Sequence, residues 1–219
     1  MDCLRLPFIK SLASNYRVVL ASGSPRRKEL LDRLGISYEV IPSDFAEDLD
    51  KSQFATAADY VLENATIKAH EVYRRINDQT QKPVLIIGAD TVVVNAAGAI
   101  LEKPGSAQDA TSTLRSLSGK TNTVYTGVCL IVGSSNQSES PVVEKAVEST
   151  EVRFGDLDDS IIDAYVATGE PMDKAGSYAY QSLACFFVEE IRGDYYNVVG
   201  FPCARFYQML LALHRQGHF

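Results

Sequence analysis

Leu20-Ala21-Ser22-Gly23-Ser24-Pro25-Arg26-Arg27-Lys28-Glu29-Leu30-Leu31 is the stretch on which both fold and chemistry turn. The β-branched pair Val18-Val19 leads into a Ser/Gly turn, and Pro25 opens an apolar-periodic segment through Leu30, Leu31 and Leu34. The pattern predicts strand, turn and then helix over 25–35, because Pro is favoured at the first helical position and Ser24 before it suits an N-cap. Arg26, Arg27 and Lys28 then fall in the first turn, where the helix dipole already presents positive partial charge. Three cations there are mildly destabilising unless an anion sits among them. Backbone N–H groups, short hydroxyls and guanidinium forks together describe a phosphate cradle. The plain alternative is a surface helix with a basic first turn.

The 219 residues suffice for one α/β domain or for two small lobes sharing a cleft, and a hydrophobic fraction of 46% supplies an ordinary globular core. A net charge of −7 excludes a general nucleic-acid binder, which needs a basic face. A local Arg/Lys cluster in an acidic chain suits a small phosphorylated molecule instead. Cys3, Cys129, Cys185 and Cys203 show no metal-ligand spacing, so a reducing, cytoplasmic setting is expected, with Cys129 and Cys185 buried in apolar strands. No apolar run approaches a membrane span, and residues 1–16 read as an N-terminal extension packing on a single domain, 17–219.

Outward from the opening stretch, strands are predicted at Arg17–Ala21, Tyr38–Ile41 and Val84–Ile87, and a long helix from about Thr56 to Ile76. Thr91–Val94 and Ala99–Leu101 form a hairpin, residues 106–117 a helix capped by Ser106, and Thr121–Val132 with Pro141–Phe154 two long strands around a Ser-rich tip. Asp156–Val166 reads as a helix, Leu183–Ile191 as a strand and Pro202–His214 as a closing helix. The fold class expected is α/β: an elongated mixed sheet flanked by helices, with two lobes and a central cleft.

Chemistry-bearing residues are spread along this plan. Asp90 stands at the carboxyl end of an apolar strand, in Gly88-Ala89-Asp90-Thr91, where α/β proteins bind ligands. In Leu101-Glu102-Lys103-Pro104, Pro104 holds Lys103 extended. Ser43-Asp44-Phe45-Ala46-Glu47-Asp48 is an acidic loop. The segment Gly169–Gln181 mixes small residues, carboxylates, a Lys and an amide, and Gln181 offers the donor and acceptor that suit a base edge. Each has a bland counterpart, a turn cap or a solvated loop.

Together these motifs, with Gly169-Glu-Pro-Met-Asp-Lys-Ala-Gly176 and Asn197-Val-Val-Gly-Phe-Pro202, closely resemble the Maf family over about residues 17–212. The resemblance implies a fold related to inosine triphosphate pyrophosphatase. It also implies hydrolysis of a nucleoside triphosphate between its α and β phosphates, to the monophosphate and pyrophosphate. Ser22, Arg26 and Arg27 match the family's phosphate-binding turn, and Lys68 and Lys103 its phosphate-facing lysines. Asp90 matches the catalytic carboxylate and Glu47 an acidic residue tied to metal and catalysis. Arg26, Thr91 and Gln181 match positions that select substrate in the branch acting on dTTP and UTP, and UTP, dTTP, CTP and modified pyrimidine nucleotides all stay open as substrates. Ser177-Tyr178-Ala179-Tyr180-Gln181-Ser182 departs from the family's more glycine-rich text at the base pocket.

The resemblance further implies a divalent ion, Mg²⁺ or Mn²⁺, held by Glu47 and Asp90, and a homodimer. Because an aspartate is a weak base, with a reference pKa of about 3.9, most activation of water falls to the ion. Asp90 can serve as base, as ligand or as both. A non-catalytic nucleotide-binding regulator of cell division is the competing expectation. Two carboxylates beside a polyanion site argue against it, since uncompensated they repel phosphate.

Overall fold

The computed structural model describes residues 7–76, 82–136 and 139–219. It shows a mixed α/β fold, a seven-stranded sheet flanked by helices. The strands are β1 (Arg17–Leu20), β2 (Glu39–Val40), β3 (Val84–Val94), β4 (Ile100–Leu101), β5 (Thr121–Gly133), β6 (Val142–Phe154) and β7 (Val188–Arg192). Their order is β2-β1-β3-β5-β6-β7, with β4 paired to β3. β1 runs parallel to both β2 and β3, whereas β4 and β7 pair antiparallel with β3 and β6. The helices are α1 (Pro7–Asn15), α2 (Pro25–Asp32), α3 (Ala57–Ile76), α4 (Ala107–Leu117), α5 (Asp159–Ala167), α6 (Tyr195–Val199) and α7 (Cys203–Arg215).

Two compact units divide the chain. Met1–Asp90, Gly127–Val147 and Cys203–Phe219 form the first, and Thr91–Thr126 with Glu148–Pro202 the second. In the first, α3 lays Ala65, Ala69, Val72 and Ile76 on Val19, Val84, Ile86, Cys129 and Ile131 of the sheet. Glycines make that approach close: a Cβ on Gly88 would meet the Ala65 carbonyl oxygen at 2.5 Å, and one on Gly127 the Val61 carbonyl oxygen at 2.6 Å. Small residues on both partners let helix and strands pack backbone to backbone. The α1 extension packs in this unit, with Ile9 and Leu12 buried and the Phe8 ring stacked 5.1 Å from His214. In the second unit, Val93, Leu114, Leu117, Val152, Phe154, Ile162 and Tyr178 share a core.

Several expectations need correction. Val84–Ile87 does not end before the Gly-Ala-Asp-Thr motif; β3 runs on through it to Val94, 11 residues in all, taking in the strand expected at Thr91–Val94 and placing Asp90 inside the strand, because α3 covers Gly88 and keeps the motif extended. The strand expected at Leu183–Ile191 starts only at Val188, since Leu183–Phe186 coil into a 3₁₀ turn. Cys185 is therefore exposed, not buried like Cys129. α2 stops at Asp32, three residues early, where a turn leads to Gly35 at φ 65°. Ser24 occupies the N-cap without a side-chain cap; its own N–H instead donates to Ser22 Oγ at 3.3 Å. The tip of the β5–β6 hairpin includes Gln137 and Ser138, which lie outside the described residues.

Candidate active site

Asp90 is the last residue of the first unit, and the strand period decides where it points. Val84 and Ile86 face α3, so Gly88 and Asp90 face it too, two and four residues on. On α3, Lys68 follows Ala65 by three residues and so lies on the sheet-facing side. The two side chains meet: Lys68 Nζ donates to Asp90 Oδ1 at 2.8 Å. The same ammonium lies 2.9 Å from Glu47 Oε1. Lys68 and Asp90 have side chains only 8% and 10% exposed, while Glu47 is half-exposed.

Glu47 arrives from the loop after β2 with φ 57°, the left-handed region that a side chain bearing a Cβ seldom adopts. Such backbone costs about 1–3 kcal/mol and persists where surrounding contacts hold it. Here α3 provides them from one face. Glu71 Oε2 accepts from the Asp44 N–H at 3.2 Å, and Arg75 donates to the Pro42 carbonyl at 2.6 Å and pairs with Asp44. Lys68, Glu71 and Arg75 thus fasten the acidic loop along α3 at helical spacing, a tie whose only trace in the sequence is the spacing of positions 68, 71 and 75.

The basic turn meets this pair of carboxylates. Arg27 is buried, and its Nη1 donates to Ser22 Oγ and to the Ala89 carbonyl, each at 2.9 Å. One side chain therefore clamps the turn after β1 to β3, immediately before Asp90. Burial lowers the pKa of the Arg27 guanidinium from its ordinary value, Asp90 and then Glu47 raise it, and Arg26 lowers it. Hydrogen bonds and ion pairs thus bring Ser22, Arg27, Glu47, Lys68 and Asp90 together within the first unit, with Arg26 next to Arg27 in the first turn of α2.

The other residues singled out from the sequence belong to the second unit. Thr91 Oγ1 lies 3.0 Å from Thr126 Oγ1 and 3.4 Å from the Gly200 carbonyl. Lys103 is exposed in the loop before α4, and Gln181 is exposed in a turn. In the segment before Gln181, Ser177 is buried at φ 61° and follows Gly176, on which a Cβ would meet Val93 at 2.8 Å. That close approach explains the small residues there.

Two carboxylate oxygens on a single cation make a donor set that a divalent ion can use, with its other ligands drawn from water or phosphate. No group of three or more His, Cys, Asp or Glu side chains suited to a metal occurs among the described residues. No helix among them is long and apolar enough to cross a membrane.

Comparison with known proteins gives the family. A family model described as Maf-like protein matches residues 17–213. The human protein named probable bifunctional dTTP/UTP pyrophosphatase/methyltransferase protein is 46% identical over 200 residues, covering 90% of this chain and 32% of the human one. This chain thus spans about a third of that relative's length. The dTTP/UTP pyrophosphatase of Thermococcus kodakarensis is 46% identical over 185 residues, 84% of this chain and 90% of that protein. The protein of the same name from Thermotoga maritima is 42% identical over 194 residues, 89% of this chain and 88% of the relative. Among solved structures, a HAM1 protein from Coxiella burnetii aligns over 91% of this chain and 99% of its own, at 18% identity and a TM-score of 0.47.

Proposed function

The chain belongs to the Maf family, and from that premise we propose that it hydrolyses nucleoside triphosphates of the dTTP/UTP type to the monophosphate and pyrophosphate. The observation that carries this reading is the Lys68 ammonium held between Glu47 and Asp90 at 2.9 and 2.8 Å, beside the Arg26-Arg27 turn. Cations alone would bind a polyanion. Paired carboxylates among them weaken such binding, and they serve only where chemistry or a metal ion needs them. That arrangement also counts against a passive nucleotide-binding regulator.

Phosphoryl transfer asks the protein for positioning and charge neutralisation rather than covalent help. Arg26 and Lys68 supply positive charge to the phosphates, and Arg27 fixes the turn that presents them. Glu47 and Asp90 would hold a divalent ion, whose bound form neutralises phosphate oxygens and acidifies water. Mg²⁺ suits two hard oxygen donors with an otherwise open shell, and Mn²⁺ accepts the same set. Asp90 orients the attacking water and accepts its proton at the carboxylate. Lys103 as a further phosphate ligand, and Thr91 and Gln181 as selectors of the base, are roles we assign from the family resemblance. From the same resemblance we take 17–219 as one catalytic domain acting as a homodimer, and from the scattered cysteines a cytoplasmic setting.

The test is a pyrophosphate-release screen of the purified protein over canonical and modified nucleoside triphosphates, with Mg²⁺ and with Mn²⁺. Release from dTTP and UTP above the purine nucleotides is expected. Binding of nucleotide with no release from any of them refutes the reading.

A further inference from the structure

On the reading that this site takes a nucleoside triphosphate with a divalent ion, we propose that Lys68 is an internal stand-in for that ion. The ion then binds well only when phosphate has drawn the ammonium away from Glu47 and Asp90.

The geometry forces a competition. Lys68 Nζ occupies the space between Glu47 Oε1 and Asp90 Oδ1, 2.9 and 2.8 Å from them. A magnesium-sized ion reaches its oxygens at about 2.0–2.1 Å, so it needs those oxygens and that space. Ammonium and metal cannot share the seat. Nor does the ammonium leave for nothing, because its side chain is 8% exposed and its departure sets two carboxylates against each other. Triphosphate offers it a replacement anion, and a flexible four-carbon stem lets it swing while α3 stays still.

Glu47 does not follow the ammonium. Its loop is fastened to α3 by Arg75 on Pro42 and Asp44, and by Glu71 on the Asp44 N–H. The carboxylates therefore stay in place for the incoming ion. Nucleotide and ion must then assist each other's binding by the same factor, since a coupling free energy is reciprocal.

The experiment uses Mn²⁺ alone on the nucleotide-free protein, read by electron paramagnetic resonance of unbound Mn²⁺ and by thermal unfolding. Wild type is compared with Lys68→Met and with Arg26→Gln, which removes a neighbouring cation without vacating the seat. Lys68→Met is expected to bind Mn²⁺ at least about tenfold tighter than wild type and to be stabilised more by it, with Arg26→Gln close to wild type. An unchanged Mn²⁺ affinity in Lys68→Met, or an equal gain in Arg26→Gln, overturns the proposal. If Lys68→Met unfolds without metal, refolding by Mn²⁺ is the supporting result. If it does not fold even then, wild type decides: Mn²⁺ binding must tighten at least about tenfold with an α,β-methylene analogue of dTTP, after correction for Mn²⁺ on the analogue itself. No tightening sinks the idea. Hydrolysis is never read, so a protein lacking pyrophosphate release would count against the proposed function and leave this result intact.

Discussion

The Ala65 carbonyl oxygen lies where a side chain on Gly88 would begin, 2.5 Å from a Cβ placed there. This contact fixes the separation of α3 from β3, and two residues further along the strand the same separation brings Lys68 within 2.8 Å of Asp90. Packing and chemistry are set by one distance.

Gly88→Ala tests that link. The added methyl meets backbone on one side and the Ala69 Cβ at 2.7 Å on the other, so helix and strand must move apart. Overpacking of this kind costs about 1–3 kcal/mol. Thermal melts should show lower stability, and turnover should fall because the Lys68–Asp90 contact lengthens. Native stability and native turnover together would show that the contact is not a constraint.

Asp90→Asn keeps size and shape but removes the proton acceptor and one anionic donor. Lys68 retains Glu47 as a partner, so the fold should survive. Pyrophosphate release from dTTP and UTP should drop by about 10² or more, the scale seen when a general base is lost. Rates near those of the wild type would remove Asp90 from the mechanism.

Arg27→Met separates clamp from ligand. Its loss removes one donor from Ser22 Oγ, which keeps the Ser24 N–H, and one from the Ala89 carbonyl, and hydrogen bonds from a charged donor are worth about 1.5–3 kcal/mol. Arg26→Ala, in contrast, leaves those bonds in place and should raise KM or shift base preference with little change in stability. Chemical denaturation beside nucleotide kinetics distinguishes the two. Equal stability losses would contradict this division of labour.

Acid stability has a part traceable to Glu39. Its hydrogen bonds from Arg17, at 2.9 and 2.8 Å, hold the Glu39 carboxyl below its ordinary pKa. A lowered folded pKa contributes stability that is complete above the unfolded value and is lost as pH falls through the folded one. The pair is half open to solvent, so its worth is below about 1 kcal/mol. The stability difference between wild type and Glu39→Gln should be largest near about pH 6 and shrink toward about pH 2. A difference that grows on acidification reverses the sign and rejects the assignment.

Thiol reactivity should divide the cysteines. Burial pushes the Cys129 thiol up to about 11, and its side chain is fully enclosed. Cys185 is exposed. Under native conditions at neutral pH, alkylation mapped by mass spectrometry should modify Cys185 readily and Cys129 only after unfolding. Early labelling of Cys129 would mean that the sheet opens locally between β5 and α3.

The amino-acid sequence by itself marked most of the segments that become strands and helices, because periodicity and turn chemistry are local; the helices at Pro7–Asn15 and Tyr195–Val199 and the 3₁₀ turn at Leu183–Phe186 were not among them. Pro25 after Ser24, the apolar run Val84–Ile87 and the helical spacing of α3 could be read without a partner. It also marked Asp90 and the Arg26-Arg27 turn as chemically unusual, and the ordered motifs disclosed the family. Tertiary structure alone decided what those residues do to one another. Nothing near Lys68 announces that it will bridge Glu47, 21 positions before it, and Asp90, 22 positions after it. Nothing local told that Arg27 would spend a nitrogen on Ser22 and Ala89, or that Cys185 would stay exposed. Those outcomes depend on the close approach of α3 to β3 and on a loop fastened in a left-handed turn. Contacts between distant positions leave no periodic trace in the chain that makes them.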